Sequence, residues 1–442
     1  MRRPSSISSE AWESNEAMSG SENGIERIGR RDFTRAGLVF GVGAGALAAG
    51  YAAVPDAFAR AIFTARRDGV QSDAVLVMIQ LAGGNDGLRT VVPLQDSNLH
   101  DLRPQLAGEA VDKALPLSPS EGLNHNLGRI RKLWDGGKVA VVQGVGYPRP
   151  SLSHFESIRV WETGDPTRRQ LKGWLGRALS TSYDSYGHPL TGCACGTAVT
   201  PGALRDADST VAVIENQLSY GFAAPEVESA VGAVYGQTPG IYGALFDTAV
   251  ATVRKTAAEL QRALPAPSDS GVLPSYSNDT GNALAQALKL AAQLIIRETG
   301  VRLLHVTLDG FDTHYTELSY HDQLMSYLDE AVGGFYDELV QHGKASRVLM
   351  ATWSEFGRRP QENVSGGTDH GTAAPVVLIG DPVRRGIYGR PPDLRHLDDG
   401  NLRYTVDFRS IYQEILDVHL QASAGEILGG RFEPVRFLRR PS

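Results

Sequence analysis

Short apolar runs recur along the chain, and each is followed by glycine, proline or a polar turn. Five of them have the length of strands: AVLVMIQLAGG (74–84), VAVVQGVGYP from Val139, VRLLHVTLDGFDTH from Val301, SRVLMATWSEFG from Ser346 and APVVLIG from Ala374. A continuous apolar run of this length is typical of a strand that is buried on both faces. The pattern therefore predicts a sheet whose strands end in glycine-rich or polar loops.

Apolar positions at helical spacing fill the segments between these runs. The clearest helix pattern is YHDQLMSYLDEAVGGFYDELVQHG from Tyr320, and a second extends from residue 226 to about 264. Strands that alternate with helices indicate an α/β fold, a mostly parallel sheet with helices on both faces. We expect one such domain over residues 72–440, with a helical insertion at about 165–280 that ends in the stretch LPAPSDSGVLPSYSNDTGN.

The first 59 residues have the pattern of an export signal. A paired-arginine motif, GRRDFTR (29–35), precedes the weakly apolar run AGLVFGVGAGALAAGYAAV and the small-residue stretch Ala57-Phe58-Ala59. This arrangement resembles a twin-arginine signal, so we expect the twin-arginine translocon as a partner and a periplasmic or extracellular location. An uncleaved signal would instead tether the protein to the membrane, and that alternative stays open.

Composition narrows the function further. With 442 residues, 42% of them apolar, the chain is able to bury a large core. Its net charge of -7 and lack of a basic block argue against nucleic acid as a partner. The two cysteines, Cys193 and Cys195, are separated by one residue and do not form a metal-binding pair, so we interpret them as structural.

Acidic and imidazole side chains collect where the predicted strands end. Asp86 follows the first strand, Asp309, Asp312 and His314 follow another, Glu355 ends the next, and Asp369 and His370 precede the last. Ligands of open α/β sheets bind outside the carboxyl ends of the strands. Carboxylates gathered there would repel one another unless a cation lay among them. The sequence therefore predicts a divalent metal site, with Zn, Mn or Ca as the ions that suit mixed oxygen and nitrogen ligands.

Six motifs also carry a family resemblance: GGNDGLRTVVP, VVQGVGYPRPSLSHFES, GFDTH, TWSEFGRR, GGTDHGTAAPVVLIG and DFRSIY. Together they resemble the exported bacterial family called domain of unknown function 1501. That family is similar to the alkaline phosphatase and sulfatase superfamily, whose members hydrolyse phosphate or sulfate esters with one or two metals. The resemblance implies an alkaline phosphatase/sulfatase-like fold and a metal-dependent reaction.

The resemblance also implies roles for single residues. Asp86 matches the first bridging aspartate, and His370 resembles the last metal-binding histidine, with Asp369 either a second ligand or an orienting partner. Asp312 and His314 resemble an Asp-x-x-x-His pair at a shorter spacing. Glu355 falls where the superfamily usually has Asp-His, so Phe356 stands in place of one metal-binding histidine.

The superfamily places its nucleophile at a helix N-terminus, where backbone N–H groups and the helix dipole favour an anion. In PSLSHFESIRVW the resemblance points to Ser153 first and Ser151 second, with His154 as an additional ligand or acid. Ser153 and Glu156 also have the spacing of a capping box, whose hydroxyl serves the backbone. Arg358 and Arg359 are either oxyanion contacts or solvated surface groups.

Three functional interpretations follow. The first is a metal-dependent hydrolase or transferase of a small-molecule or polymer ester of phosphate or sulfate. The second is a catalytically degenerate, metal-stabilised binding protein or complex subunit with a protein partner, which the substitution at Phe356 favours. The third is a metal-free structural protein, which leaves the gathered acidic residues without a cation.

The export signal yields the first prediction. Replacing Arg30→Lys and Arg31→Lys together should leave the protein in the cytoplasm, because the translocon reads the paired guanidinium groups. Immunoblots of cytoplasmic and periplasmic fractions measure this. Normal periplasmic accumulation of the double variant would refute the twin-arginine interpretation.

Overall fold

The computed structural model describes residues 72–185, 188–215, 257–258 and 281–440. The predicted signal (1–59) and almost all of the helical pattern at 226–264 lie outside these ranges. Within the described residues, no helix is both long and apolar enough to cross a membrane.

A nine-stranded mixed sheet forms the centre of the protein. Its strands are β1 (Val75–Ala82), β5 (Val139–Gly146), β6 (Gly192–Cys195), β7 (Ala212–Ile214), β8 (Leu303–Asp309), β9 (Val348–Trp353), β12 (Ala374–Ile379), β13 (Gly386–Tyr388) and β14 (Val406–Asp407). They lie in the order β13-β5-β12-β9-β1-β8-β6-β7, and β14 pairs with β5. Only β12 runs antiparallel to its neighbours β5 and β9, so the prediction of a mostly parallel sheet is confirmed.

Ten helices have these bounds within the described residues: α1 (Gly87–Thr90), α2 (Asn98–Leu102), α3 (Ala107–Lys113), α4 (Gly128–Asp135), α5 (His154–Thr163), α6 (Trp174–Ser182), α7 (Ala283–Ile296), α8 (Glu317–Gln341), α9 (Phe408–Glu414) and α10 (Ala424–Leu428). A π-helical turn, Ile415–Leu420, continues α9. Smaller strands lie outside the main sheet: β2 (Val91–Pro93), β3 (Leu115–Pro116) and β4 (Glu121–Leu123) pair together, and β10 (Arg358–Glu362) pairs with β11 (Thr368–His370).

The central strand β1 is apolar on both faces because each face supports a core. Val77 and Ile79 pack in the core that includes α4, α7 and α8. Leu76 and Met78 pack in the core that includes α5, α6 and α9. Helices therefore cover both faces, as the unbroken apolar runs predicted.

The segment predicted as an insertion, about 165–280, contributes to the main sheet in its described part. β6 pairs parallel with β8, and β7 extends the sheet beyond β6. The short apolar stretches of these two strands gave too weak a pattern to predict them. Cys193 and Cys195 are free, buried thiols in β6, and burial raises the pKa of Cys195 to about 12.

Candidate metal centre

Three imidazoles converge on the carboxylate of Asp312 at the carboxyl end of β8. The Nε2 atoms of His370 and His314 lie 3.0 and 3.1 Å from Asp312 Oδ1, and His154 Nε2 lies 3.6 Å from Oδ2. We call these four residues the histidine cluster. Asp312 and His314 follow β8, His370 ends β11, and His154 begins α5.

The opposite nitrogen of each ring faces a hydrogen-bond acceptor. His154 Nδ1 lies 2.8 Å from Glu355 Oε1, and His370 Nδ1 lies 2.8 Å from the carbonyl oxygen of Leu152. His314 Nδ1 lies 3.3 Å from Asp369 Oδ1. Carbonyl and carboxylate oxygens accept hydrogen bonds, so each Nδ1 is placed to donate away from the cluster, and each Nε2 is the ring atom that would bind a metal there.

This arrangement fits a metal ion. The Nε2 atoms of His314 and His370 are 2.9 Å apart, and two lone pairs at that distance repel unless a cation or proton lies between them. Metal-binding histidines characteristically donate their other N–H to a carboxylate or carbonyl, which fixes the ring. His154, Asp312 and His370 offer ligand atoms that lie within 4.8 Å of one another.

The buried guanidinium of Arg358 holds the loops that carry the cluster. It donates to four backbone carbonyls and one carboxylate, those of Gly83, Gly84, Phe311, Thr368 and Asp312. Arg358 is 1% exposed. Arg358 is therefore not the solvated surface group that the sequence left open, and these N–H groups are engaged by protein acceptors rather than held open for an oxyanion.

Gly83 allows β1 and β8 to bring their loops together. Its φ of +116° lies in the region that favours glycine, and a Cβ there would collide with the backbone at Phe311 and Asp312. The Gly83 N–H also donates to Glu355 Oε1 over 2.9 Å. The glycines that end the first apolar run therefore provide the close approach that positions Asp312 and Glu355.

Asp312 is ionised and open to solvent. Burial opposes its ionisation, but the Arg358 guanidinium, which donates to Oδ1, and the neighbouring histidines outweigh burial and lower the pKa of Asp312 to about 2. Its side chain is 51% exposed. The carboxylate thus keeps its negative charge at all ordinary pH values, and the cluster is reachable from solvent.

Glu355 and Asp369 orient histidines in this arrangement. Each is in hydrogen-bond contact with one Nδ1, on the side of the ring that faces away from Asp312. Of the two roles that the sequence left open for Asp369, the geometry places it as the partner of His314. Glu355, predicted as a ligand, contacts the Nδ1 of His154 and the Gly83 amide.

Phe356 forms an apolar wall beside the cluster. Its ring centroid lies 4.9 Å from that of His154 and 4.5 Å from that of His370. The side chain is buried and has no ligand atom. The position that the resemblance assigned to a second metal-binding histidine therefore packs against two of the three imidazoles.

Asp86 is not part of the cluster, contrary to the prediction that it binds metal. Arg103 contacts both of its carboxylate oxygens, and Oδ1 also caps α1 by accepting from the Leu88 N–H. Burial opposes ionisation of Asp86, but the Arg103 guanidinium holds its pKa well below the usual range. A cation from the chain itself occupies the place that the prediction gave to a metal.

Glu317 shares this buried site with Asp86. Its Oε2 accepts from the Thr368 hydroxyl over 2.6 Å, and its Oε1 is buried without a hydrogen-bond partner among the described residues. Burial, and then the negative charge of Asp86, raise the pKa of Glu317 well above its usual value. Burial and the charge of Asp86 thus both favour the protonated form of Glu317.

Ser153 precedes α5 as its N-cap residue, but its hydroxyl makes no capping hydrogen bond. The capping-box interpretation is therefore wrong. Glu156 instead accepts from the Ser151 hydroxyl over 2.7 Å and pairs with Arg168. The Ser153 hydroxyl is exposed beside His154 and is not engaged by the helix backbone.

A second group of potential ligands comprises Glu109, His125 and Asp322. Cations of the chain already pair with its carboxylates: Arg89 lies 2.8 Å from Asp322, and Lys113 pairs with Glu109. The histidine cluster is thus the stronger candidate within the described residues.

One known protein family matches this chain. The family described as "Protein of unknown function (DUF1501)" matches residues 143–420, more than half of the chain. No curated protein sequence matches.

Two solved structures are similar to this chain over most of its length. The PsFucS1 sulfatase from Pseudoalteromonas sp. is 12% identical, with 83% of this chain and 72% of that chain covered and a TM-score of 0.38. A protein in the alkaline phosphatase superfamily from Vibrio parahaemolyticus is 9% identical, with 72% and 63% covered and a TM-score of 0.31.

The buried Asp86–Glu317 pair yields a prediction about pH. Glu317 keeps its proton when folded and loses it when unfolded, so the free energy of unfolding should fall as pH rises above about 4.3, its unfolded pKa. Glu317→Gln keeps the size of the side chain and carries no group that ionises beside Asp86. Its stability relative to the wild type should therefore increase between pH 5 and pH 8 in urea unfolding. Glu433→Gln, at an exposed position, is the control, and a pH-independent difference for Glu317→Gln would contradict the protonated pair.

Proposed function

We propose that this chain, which belongs to the DUF1501 family of proteins of unknown function, is a metal-dependent hydrolase or transferase of phosphate or sulfate esters. The observation that carries the proposal is the convergence of three imidazole Nε2 atoms on the ionised carboxylate of Asp312. The cluster lies at the carboxyl end of β8, where α/β proteins bind their ligands. The N-terminal motif supports export to the periplasm or beyond as part of the same proposal.

The donor set favours a transition metal over calcium. Three nitrogen ligands and one oxygen suit Zn or Mn, whereas Ca binds six to eight oxygens. His154, His314 and His370 would hold the ion through Nε2, and Asp312 through a carboxylate oxygen. When bound, the metal supplies a Lewis acid that polarises the phosphoryl or sulfuryl oxygen of an ester.

The N-terminus of α5 complements this site for an anion. His154 is both a cluster residue and the first residue of the helix, so the free N–H groups of its first turn begin beside the cluster. Those groups and the helix dipole stabilise negative charge. Ser153, whose hydroxyl makes no capping hydrogen bond, is the proposed nucleophile, and Glu355 and Asp369 keep the neighbouring imidazoles in place.

A metal-stabilised binding protein is the second candidate, and Phe356 is the observation that favours it. Its side chain stands where the resemblance gave a metal-binding histidine, and its ring packs against His370. Asp86, the matching bridging residue, is neutralised by Arg103. Within the described residues this leaves one candidate metal site. A single ion is sufficient to stabilise a binding protein, whereas catalysis with one ion would need other side chains to stabilise the transition state.

Metal analysis of the full chain tests the centre. The wild type should contain about one equivalent of Zn or Mn. His370→Ala should lose most of it, and His314→Ala, which keeps His154, Asp312 and His370, should retain a reduced amount. Glu355→Gln, which weakens the hold on His154, should reduce affinity by roughly 10–100-fold. His396→Ala is the control, because His396 pairs with Asp393 on the surface.

Metal content that is unchanged in both cluster variants would contradict the proposed centre. So would equal losses in His396→Ala, since such losses would reflect general binding to histidine.

Paired serine variants separate catalysis from helix structure. Ser153→Ala should abolish turnover of aryl phosphates, phosphodiesters or sulfates, and should change stability by less than about 0.5 kcal/mol, because no capping bond is lost. Ser151→Ala should keep turnover but lose about 1 kcal/mol for its hydrogen bond with Glu156.

Turnover retained in Ser153→Ala would exclude Ser153 as the nucleophile. A wild type that binds metal but turns over none of these esters would support the binding protein instead.

A further inference from the structure

A β-bulge interrupts the pairing of β5 with β12. Ala374 pairs with Val145 but Val376 pairs with Val142, so Gln143 and Gly144 together oppose Pro375. Gly144 has a φ of +65°, and proline has no N–H for the ladder. Bulges of this kind re-aim side chains and are over-represented beside active sites.

Gln143 lies at this bulge with an unused donor. Its side chain is 3% exposed, and Nε2 is buried without a hydrogen-bond partner. Burial of an amide N–H group is unfavourable unless the group donates a hydrogen bond to an acceptor.

A surface cleft lies next to this amide. Gln143, Arg390, Pro391, Pro392, Leu402 and Arg403 line it, together with the start of α1 and the beginning of β12. Arg390 and Arg403 are exposed, and neither forms an ion pair with a described residue. The charged side chains that line this cleft are thus both cationic.

We propose that this cleft binds an anionic group, a carboxylate, phosphate or sulfate, between the two arginines and the Gln143 amide. Guanidinium groups match the geometry of these oxyanions, and the amide supplies a donor at the base of the cleft. The two neighbouring prolines restrict the loop that carries Arg390.

The cleft is separate from the histidine cluster but close to it along the chain. Its wall includes Ala373, three residues after His370, which places the two Cα atoms within about 11 Å.

Calorimetric titration of the full chain with inorganic phosphate, sulfate and acetate, each in turn, tests the proposal. The wild type should bind at least one of them in the cleft, and the tightest identifies the group. Arg390→Ala and Arg403→Ala should each raise the Kd at least tenfold, and Gln143→Met should weaken binding in the same direction. Arg395→Ala, an exposed arginine of the same loop that does not line the cleft, should leave the Kd unchanged.

His370→Ala separates the cleft from the histidine cluster, since binding in the cleft should persist in that variant. The proposal is overturned if no anion binds, if Arg395→Ala weakens binding as much as Arg390→Ala, or if only His370→Ala loses binding. Anion binding that persists in His370→Ala supports the proposed anion site even if the protein hydrolyses none of the esters.

Discussion

The candidate site depends on one buried cation, the guanidinium of Arg358. It binds carbonyls in the loop after β1, the loop after β8 and the strand β11, three segments that are far apart in sequence. It also contacts Asp312, so it fixes the carboxylate on which the imidazoles converge. Without this guanidinium several buried carbonyls would lose their donors, and the cluster residues would lose their common support.

Two carboxylates at the ends of neighbouring strands are stabilised in different ways. Asp86 is buried and paired with Arg103, while Asp312 is half exposed and faces three imidazoles. The sequence had predicted that one metal ion neutralises both of these carboxylates. The chain supplies a guanidinium to each carboxylate. Arg103 contacts both oxygens of Asp86, whereas Arg358 contacts Oδ1 of Asp312, which also faces imidazole nitrogens that suit a metal.

The sequence predicted the features that local patterns encode. The apolar runs located β1, β5, β8, β9 and β12, and the strand ends located Asp312, His314 and His370. It could not separate ligands from orienting residues, because that distinction depends on which ring nitrogen meets an acceptor. His154 contacts Glu355 across 201 residues, and Arg103 reaches Asp86 only through the fold. The capping-box prediction was wrong for a similar reason, because Glu156 accepts a hydrogen bond from the hydroxyl of Ser151, two residues before Ser153.

The central claim is that His154, Asp312, His314 and His370 form one transition-metal site. X-ray absorption spectroscopy at the metal edge of the purified full chain tests it most directly. The account predicts three imidazole nitrogens and one carboxylate oxygen at about 2.0–2.2 Å, with one imidazole lost from the spectrum of His314→Ala. A shell made only of oxygen atoms, or a spectrum that is identical in His314→Ala, would contradict it.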